Sequence, residues 1–180
     1  MPIDFLNTPC TKANGNCKIV GVTCKSSTTN TTFGLCDKTP PPSLPAYIDT
    51  ANTADWIAEV KNVNSKTIFF KAIDACVDIF RPSGEMESRC DGVLIDGNIL
   101  TFVELKDRAS GGWVSKGRKQ LTITINNFIA NDPNSANFNM VEAYVCNKQR
   151  PLAVTSINTE SQQFKNETGL TLKVNRTINI

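Results

Sequence analysis

At 180 residues, with 40% hydrophobic and 20% charged side chains, the chain is long enough for one packed domain with a small appendage and too apolar to be wholly disordered. It contains no histidine, which excludes Ser-His-Asp triads, Cys-His nucleophile pairs and any zinc site built with imidazole. A formal net charge of +2 neither demands nor excludes a nucleic-acid partner. No apolar run is long enough to span a bilayer, and the start Met1-Pro2-Ile3-Asp4-Phe5-Leu6 lacks the basic and apolar regions of a signal peptide, so a cytoplasmic protein without a membrane partner is expected.

Residues 7–45 are rich in Thr, Asn, Ser, Lys and Pro and read as an N-terminal extension. Within it, residues 18–22 are strand-like, 26–32 form a polar loop, and Thr39-Pro40-Pro41-Pro42-Ser43-Leu44-Pro45 is a stiff linker to the domain spanning 46–180. Seven cysteines, an odd number, fit free thiols in a reduced compartment better than a complete disulfide framework. Cys10, Cys17, Cys24 and Cys36 are the alternative ligands of a structural zinc, although none forms the close pair typical of zinc ribbons. Asn30-Thr31-Thr32, Asn166-Glu167-Thr168 and Asn175-Arg176-Thr177 fit the glycosylation pattern, as an Asn/Thr-rich chain does by chance.

Thr53-Ala54-Asp55 predicts a helix start, with Trp56, Ile57, Val60 and Val63 on one face. A second helix is expected over 65–80, ended by Arg81-Pro82-Ser83-Gly84. Two strands joined at Asp96-Gly97-Asn98 then form a hairpin that runs to Lys106. After a Gly-containing loop, a helix over 114–130 is predicted despite the β-branched run Thr122-Ile123-Thr124-Ile125. Residues 140–146 read as a strand, and 152–155 as an extension of the sheet. Thr159 and Gln162 suggest a capping box for a short helix that Gly169 stops, with a last strand over 170–174. The order gives an α/β fold, a central mixed β-sheet flanked by helices.

The hairpin carries the chemistry. Alternation places Phe102, Glu104 and Lys106 on one face and Val103 and Leu105 on the other. Pairing across the turn brings Asp91 toward Glu104 and Lys106. Two carboxylates with a backbone carbonyl, that of Leu105, make a hard oxygen site suited to Mg²⁺ or Mn²⁺, and Lys106 is placed to orient water or stabilise a charged transition state. A second triplet, Glu59-Val60-Lys61, falls on the expected first helix, where residues two apart diverge. Lys116, Arg118 and Lys119, just past the Gly-rich loop, suit a nucleic-acid phosphate, a solvated helix face being the alternative. Trp113 reads as a core or hinge residue before it reads as a base-stacking one.

Asp91 followed by Glu104-Leu105-Lys106 on a hairpin between helices resembles the PD-(D/E)XK, or restriction-endonuclease-like, nuclease superfamily. The resemblance covers residues 65–146 and implies a core of helix, three strands, helix and strand. It also implies metal-dependent hydrolysis of DNA, less often RNA, by the 46–180 domain. Cys90 stands where the motif's proline would be, Gln120 where many members place a glutamine near the site, and Thr124 where a tyrosine can accompany it. Many members add an acid from before the hairpin, and among Glu59, Asp74, Asp78 and Glu87 the closeness of Glu87 to Asp91 favours it. DNA is then the expected partner, and a homodimer is compatible with it. The competing readings are a catalytically silent protein on the same fold, acting as an immunity or regulatory partner, and a small zinc-stabilised binding module.

Overall fold

The computed structural model describes residues 2–6, 24–38, 44–149 and 157–180. At its centre stands the expected hairpin. Its strands β6 (Gly92–Asp96) and β7 (Ile99–Lys106) pair antiparallel, with Asp96 opposite Ile99. So short a turn needs positive φ, which Gly97 takes at 58° without a Cβ clash.

Around the hairpin lie β1 (Lys25–Thr28), β5 (Ile68–Ala72), β8 (Asn139–Asn147) and β9 (Thr171–Val174), in the order β1-β5-β6-β7-β8-β9. The sheet is mixed: antiparallel from β1 to β7, parallel from β7 to β9. Parallel neighbours need crossovers. These are α1 (Trp113–Asn131) between β7 and β8, and α2 (Ile157–Thr168) between β8 and β9. A second sheet, ordered β10-β4-β2-β3, holds β2 (Thr32–Cys36), β3 (Tyr47–Asp49), β4 (Ala58–Lys61) and β10 (Thr177–Asn179).

Two cores result. Leu121, Ile125 and Phe128 of α1 and Phe164 of α2 pack on Val93, Phe102 and Val145. On the other face, Leu94, Val103 and Leu105 pack on Phe33, Leu35 and Val60 of the second sheet. The chain is thus α/β, with helices, mixed sheet and second sheet in three layers. The hairpin, covered on both faces, therefore reads as nearly continuous apolar sequence.

The helix expected from Thr53 is only a short turn over Thr53–Asp55, and β4 follows it. The helix expected over 65–80 is β5 followed by irregular chain. Both runs are short and rich in β-branched or aromatic residues, where helical and strand spacing coincide, and pairing to β2 and β6 decides. Val63, assigned to an apolar helix face, is exposed. The expected 26–32 loop instead holds most of β1 and the first residue of β2, so the N-terminal extension contributes to both sheets.

α1 forms as predicted, because burial of Leu121, Thr124 and Ile125 outweighs their modest propensity. β8 and β9 stand where strands were expected. Ile157 and Asn158 are already helical in α2, so Thr159 lies within the helix rather than at its cap, and Gly169 follows its end with φ of 76°. The strand-like segments 18–22 and 152–155 and linker residues 39–43 lie outside the described residues.

Cys24 and Cys76 form a disulfide, with Cα atoms 6.1 Å apart. This corrects the free-thiol reading at both positions and removes Cys24 from any zinc quartet, since a disulfide sulfur is not a thiolate ligand. Cys36, Cys90 and Cys146 are free and buried, while Cys10 and Cys17 lie outside the described residues. Among the described residues, no helix is long and apolar enough to cross a membrane.

Candidate functional site

The β6–β7 register sets Gly92 opposite Val103, so one further step brings Asp91 opposite Glu104. Asp91 Oδ2 accepts the Leu105 N–H at 2.5 Å, which locks the carboxylate onto β7. Glu104 is fully buried and accepts a hydrogen bond from Lys106 Nζ through Oε1. Lys106 also donates to Gln120 Oε1 at 2.9 Å, and Gln120 Nε2 donates to the Arg89 carbonyl at 2.9 Å. That second bond fixes the amide so that its oxygen faces the ammonium. Asp91, Glu104, Leu105, Lys106 and Gln120 therefore line one cleft of about 230 Å³.

Gly117 makes this closeness of helix and strand feasible. A Cβ there would stand 2.8 Å from Val145 Cγ1 and 3.2 Å from Glu104 Cγ, so α1 rests directly over the Glu104 side chain. At the end of β7, buried Asn147 clasps the backbone of Arg108: its Nδ2 donates to the Arg108 carbonyl at 2.8 Å, and its Oδ1 accepts the Arg108 N–H at 3.2 Å. That clasp anchors the start of the Gly-rich loop.

The electrostatics are those of a site short of positive charge. Burial, and then Glu104, push the Asp91 carboxyl well above its usual range. Burial pushes Glu104 up to about 7, against the pull of Lys106. Glu104 Oε2 is buried and has no hydrogen-bond partner. An orphaned carboxylate oxygen among hard oxygen donors fits Mg²⁺ or Mn²⁺. The fit uses two side chains and a carbonyl, since among the described residues no three His, Cys, Asp or Glu side chains form a ready-made ligand group.

The remaining candidates separate clearly. Lys116 and Lys119 are exposed on α1, with Lys116 one turn before Gln120. Arg118 points the other way: it is buried, and its guanidinium bonds Glu160 and Glu167 of α2, each at 2.6 Å. It ties the helices together and is not available to a phosphate. Glu87 does not line the cleft, since its Oε1 accepts from Arg81 Nη2 at 2.9 Å. Trp113 is buried in the helix-side core.

Glu59-Val60-Lys61 lies on a strand, so its charged pair shares a face after all, at 2.7 Å. What separates it from Glu104 and Lys106 is water: its side chains are 34% and 38% exposed, against 0% and 11%.

Three charged cleft residues escaped the motif reading, Asp37 after β2 and Asp107 and Arg108 after β7, while Asp74 was considered but not favoured. Asp74 is held by Arg89, whose Nη2 lies 2.8 Å from its Oδ1. Its N–H donates to the Cys90 carbonyl at 3.1 Å, which binds it to the irregular segment just before Asp91 and β6.

The raised Glu104 value has a testable consequence. The unfolded chain releases this proton near pH 4.5 and the folded chain near pH 7, so in between the folded state binds more protons and stability falls as pH rises. In EDTA, Glu104→Gln should be more stable than wild type at pH 8, by about 2 kcal/mol after allowing for the lost Lys106 contact. Urea unfolding across this pH range measures it. A variant less stable than wild type at pH 8 contradicts the strained carboxylate.

No protein-family model matches this chain, and comparison with curated proteins and with solved structures finds no match either.

Proposed function

We propose that the chain is a metal-dependent nuclease of the PD-(D/E)XK type that hydrolyses phosphodiester bonds in DNA. The observation that carries this reading is the meeting of Asp91, Glu104 and Lys106 in one cleft, with a buried carboxylate oxygen lacking any partner. The order β5, β6, β7, α1, β8 supports it too, since it agrees with the core that the resemblance implies except for that core's first helix.

Asp91, Glu104 and the Leu105 carbonyl would hold Mg²⁺ or Mn²⁺. Such an ion, when bound, draws in a phosphate oxygen, offsets developing charge and acidifies water. The chain's own groups do the rest. Lys106 Nζ donates to an oxygen that gains charge in the transition state. Gln120 is a positioning residue, aiming the ammonium through its own tie to the Arg89 carbonyl. Arg108 at the cleft, with Lys116 and Lys119 on α1, offers positive charge to the phosphates on either side of the scissile bond. A cytoplasmic setting is supported by the three buried free thiols and opposed by the Cys24–Cys76 bridge, a bond that persists in oxidising surroundings.

The test is an assay of the purified protein on single-stranded, double-stranded and branched DNA and on RNA, with Mg²⁺, Mn²⁺ or EDTA. Cleavage of DNA with either metal and none in EDTA is expected. Intact substrates under every condition would leave the silent interaction partner as the better reading.

A further inference from the structure

We propose that the Cys24–Cys76 bridge is a redox switch on the cleft: closed, it holds the turn that positions Asp91 and Lys106, and opened by a dithiol reductant it releases that turn and slows cleavage. This rests on the nuclease reading above and adds the regulation of that same site.

The bridge lies in the packed core that also holds Leu94, Val103 and Leu105 of the hairpin. Cys76 belongs to a turn over residues 73–77, in which the Cys76 and Val77 N–H groups donate to the Ile73 carbonyl at 3.1 and 2.9 Å. Two bonds carry that turn to the site. The Ile73 N–H donates to the carbonyl of Asp91 itself at 2.9 Å, and the Asp74 N–H to that of Cys90 at 3.1 Å. The backbone that presents the Asp91 carboxylate is thus tied to the turn that the bridge closes.

A second line runs to the ammonium. Asp74 Oδ1 accepts from Arg89 Nη2 at 2.8 Å and from Nε at 3.2 Å, and Arg89 Nη1 donates to the Val77 carbonyl at 3.2 Å. The Arg89 carbonyl in turn holds Gln120, whose Oε1 accepts from Lys106 at 2.9 Å. Asp91 and Lys106 both depend on where residues 73–77 stand.

The turn is poised to move. Ala75 has a left-handed φ of 63°, which a non-glycine residue keeps only where its surroundings impose it, and the bridged Cys76 is its neighbour. Reduction leaves two thiols where there was one bond, and nonbonded sulfurs need more room in a close-packed interior. Both cysteines are buried, so the reductant needs an opening. Cys24 directly precedes β1, the strand at one end of the sheet, and an end strand opens more readily than a central one.

In the exchange, one thiolate of the dithiol attacks Cys24 Sγ, the S–S bond breaks, and the Cys76 sulfur leaves with the electron pair and takes a proton. The dithiol's second thiolate then attacks the mixed disulfide, closes its own disulfide and releases the Cys24 sulfur, which takes a second proton. The protein gains two electrons and the dithiol loses two.

The experiment measures Mg²⁺-dependent DNA cleavage by the full chain in mixtures of reduced and oxidised dithiothreitol, with the open bridge counted by thiol labelling and the fold followed by circular dichroism. The control is the double variant Cys24→Ala with Cys76→Ala. Reduction of wild type is expected to slow cleavage about tenfold, within what a misplacement of about 1 Å can cost a reacting group, and re-oxidation to restore it. Amide exchange at Ile73 and Asp74 should quicken roughly tenfold in step. The double variant should be slow and indifferent to dithiothreitol.

An unchanged rate in molecules whose bridge is open overturns the switch and leaves the nuclease standing. Unfolding on reduction overturns it too, since the bridge is then a staple for the whole fold. No cleavage by oxidised wild type overturns the nuclease reading and the switch with it. Should the double variant fail to fold, the reversible response of wild type decides alone, and a rate that re-oxidation does not restore counts against the switch.

Discussion

Lys106→Ala is expected to lower Mg²⁺-dependent DNA cleavage about a thousandfold while the protein stays folded. The size follows from what the ammonium does: removing one preorganised donor to a charged transition state costs roughly a hundred- to a thousandfold in rate. Here Gln120 also loses the group it positions, which places the effect at the upper end. The fold should survive, because the unpaired Glu104 can take up a proton, which its buried setting already favours. The loss should fall on kcat more than on KM, since Lys116, Lys119 and Arg108 remain to hold phosphates. Steady-state cleavage rates with circular dichroism as the folding control measure it. An unaltered rate would sink the assignment of Lys106, and with it the nuclease site as drawn.

The second large effect is on stability. Replacing Cys24 and Cys76 by alanine should destabilise the oxidised protein by about 4 kcal/mol, the loop-closure estimate for a bridge across 52 residues. The consequence is local as well as global. Cys24 immediately precedes β1, and its carbonyl accepts the Ala72 N–H at 2.8 Å at the end of β5. Cys76 closes a turn in which Ala75 holds a left-handed φ of 63°, a conformation that costs a non-glycine residue about 1 kcal/mol or more. Without the bridge that turn can relax, and with it Asp74 at the cleft. Urea unfolding of wild type and the double variant, both oxidised, measures the difference. Equal midpoints would show that the bridge contributes nothing.

The hairpin was legible because its information is local. A strand alternates with period two, Asp-Gly marks a tight turn, and register follows from both. Asp91, Glu104 and Lys106 could therefore be brought together before any coordinates. Gln120 came from resemblance and falls into the same cleft. α1 was legible through its length, whereas β4 and β5 were not, because short apolar runs satisfy both periods.

The second sheet was hidden for a different reason. Its strands β2, β3, β4 and β10 are far apart in the chain, and nothing local announces that β10 will pair with β4. Asp37 was hidden with it. Arg118 was misread because its partners, Glu160 and Glu167, lie on the last helix, and a basic residue on a helix does not declare which way it faces. The Cys24–Cys76 pairing is of the same kind, since connectivity cannot be deduced from spacing alone.

The two Glu-x-Lys triplets give this chain an internal control. Both sit on strands with the same two-residue spacing, so letter, spacing and local geometry are matched between them. The pair on β4 is wetted, where solvent screening leaves an ion pair worth little. The pair on β7 is dry, where an uncompensated charge is costly and a counter-ion correspondingly welcome. A search by string ranks them equally. A search by water access separates them, which makes hydration, rather than sequence, the property that distinguishes one charged triplet from the other.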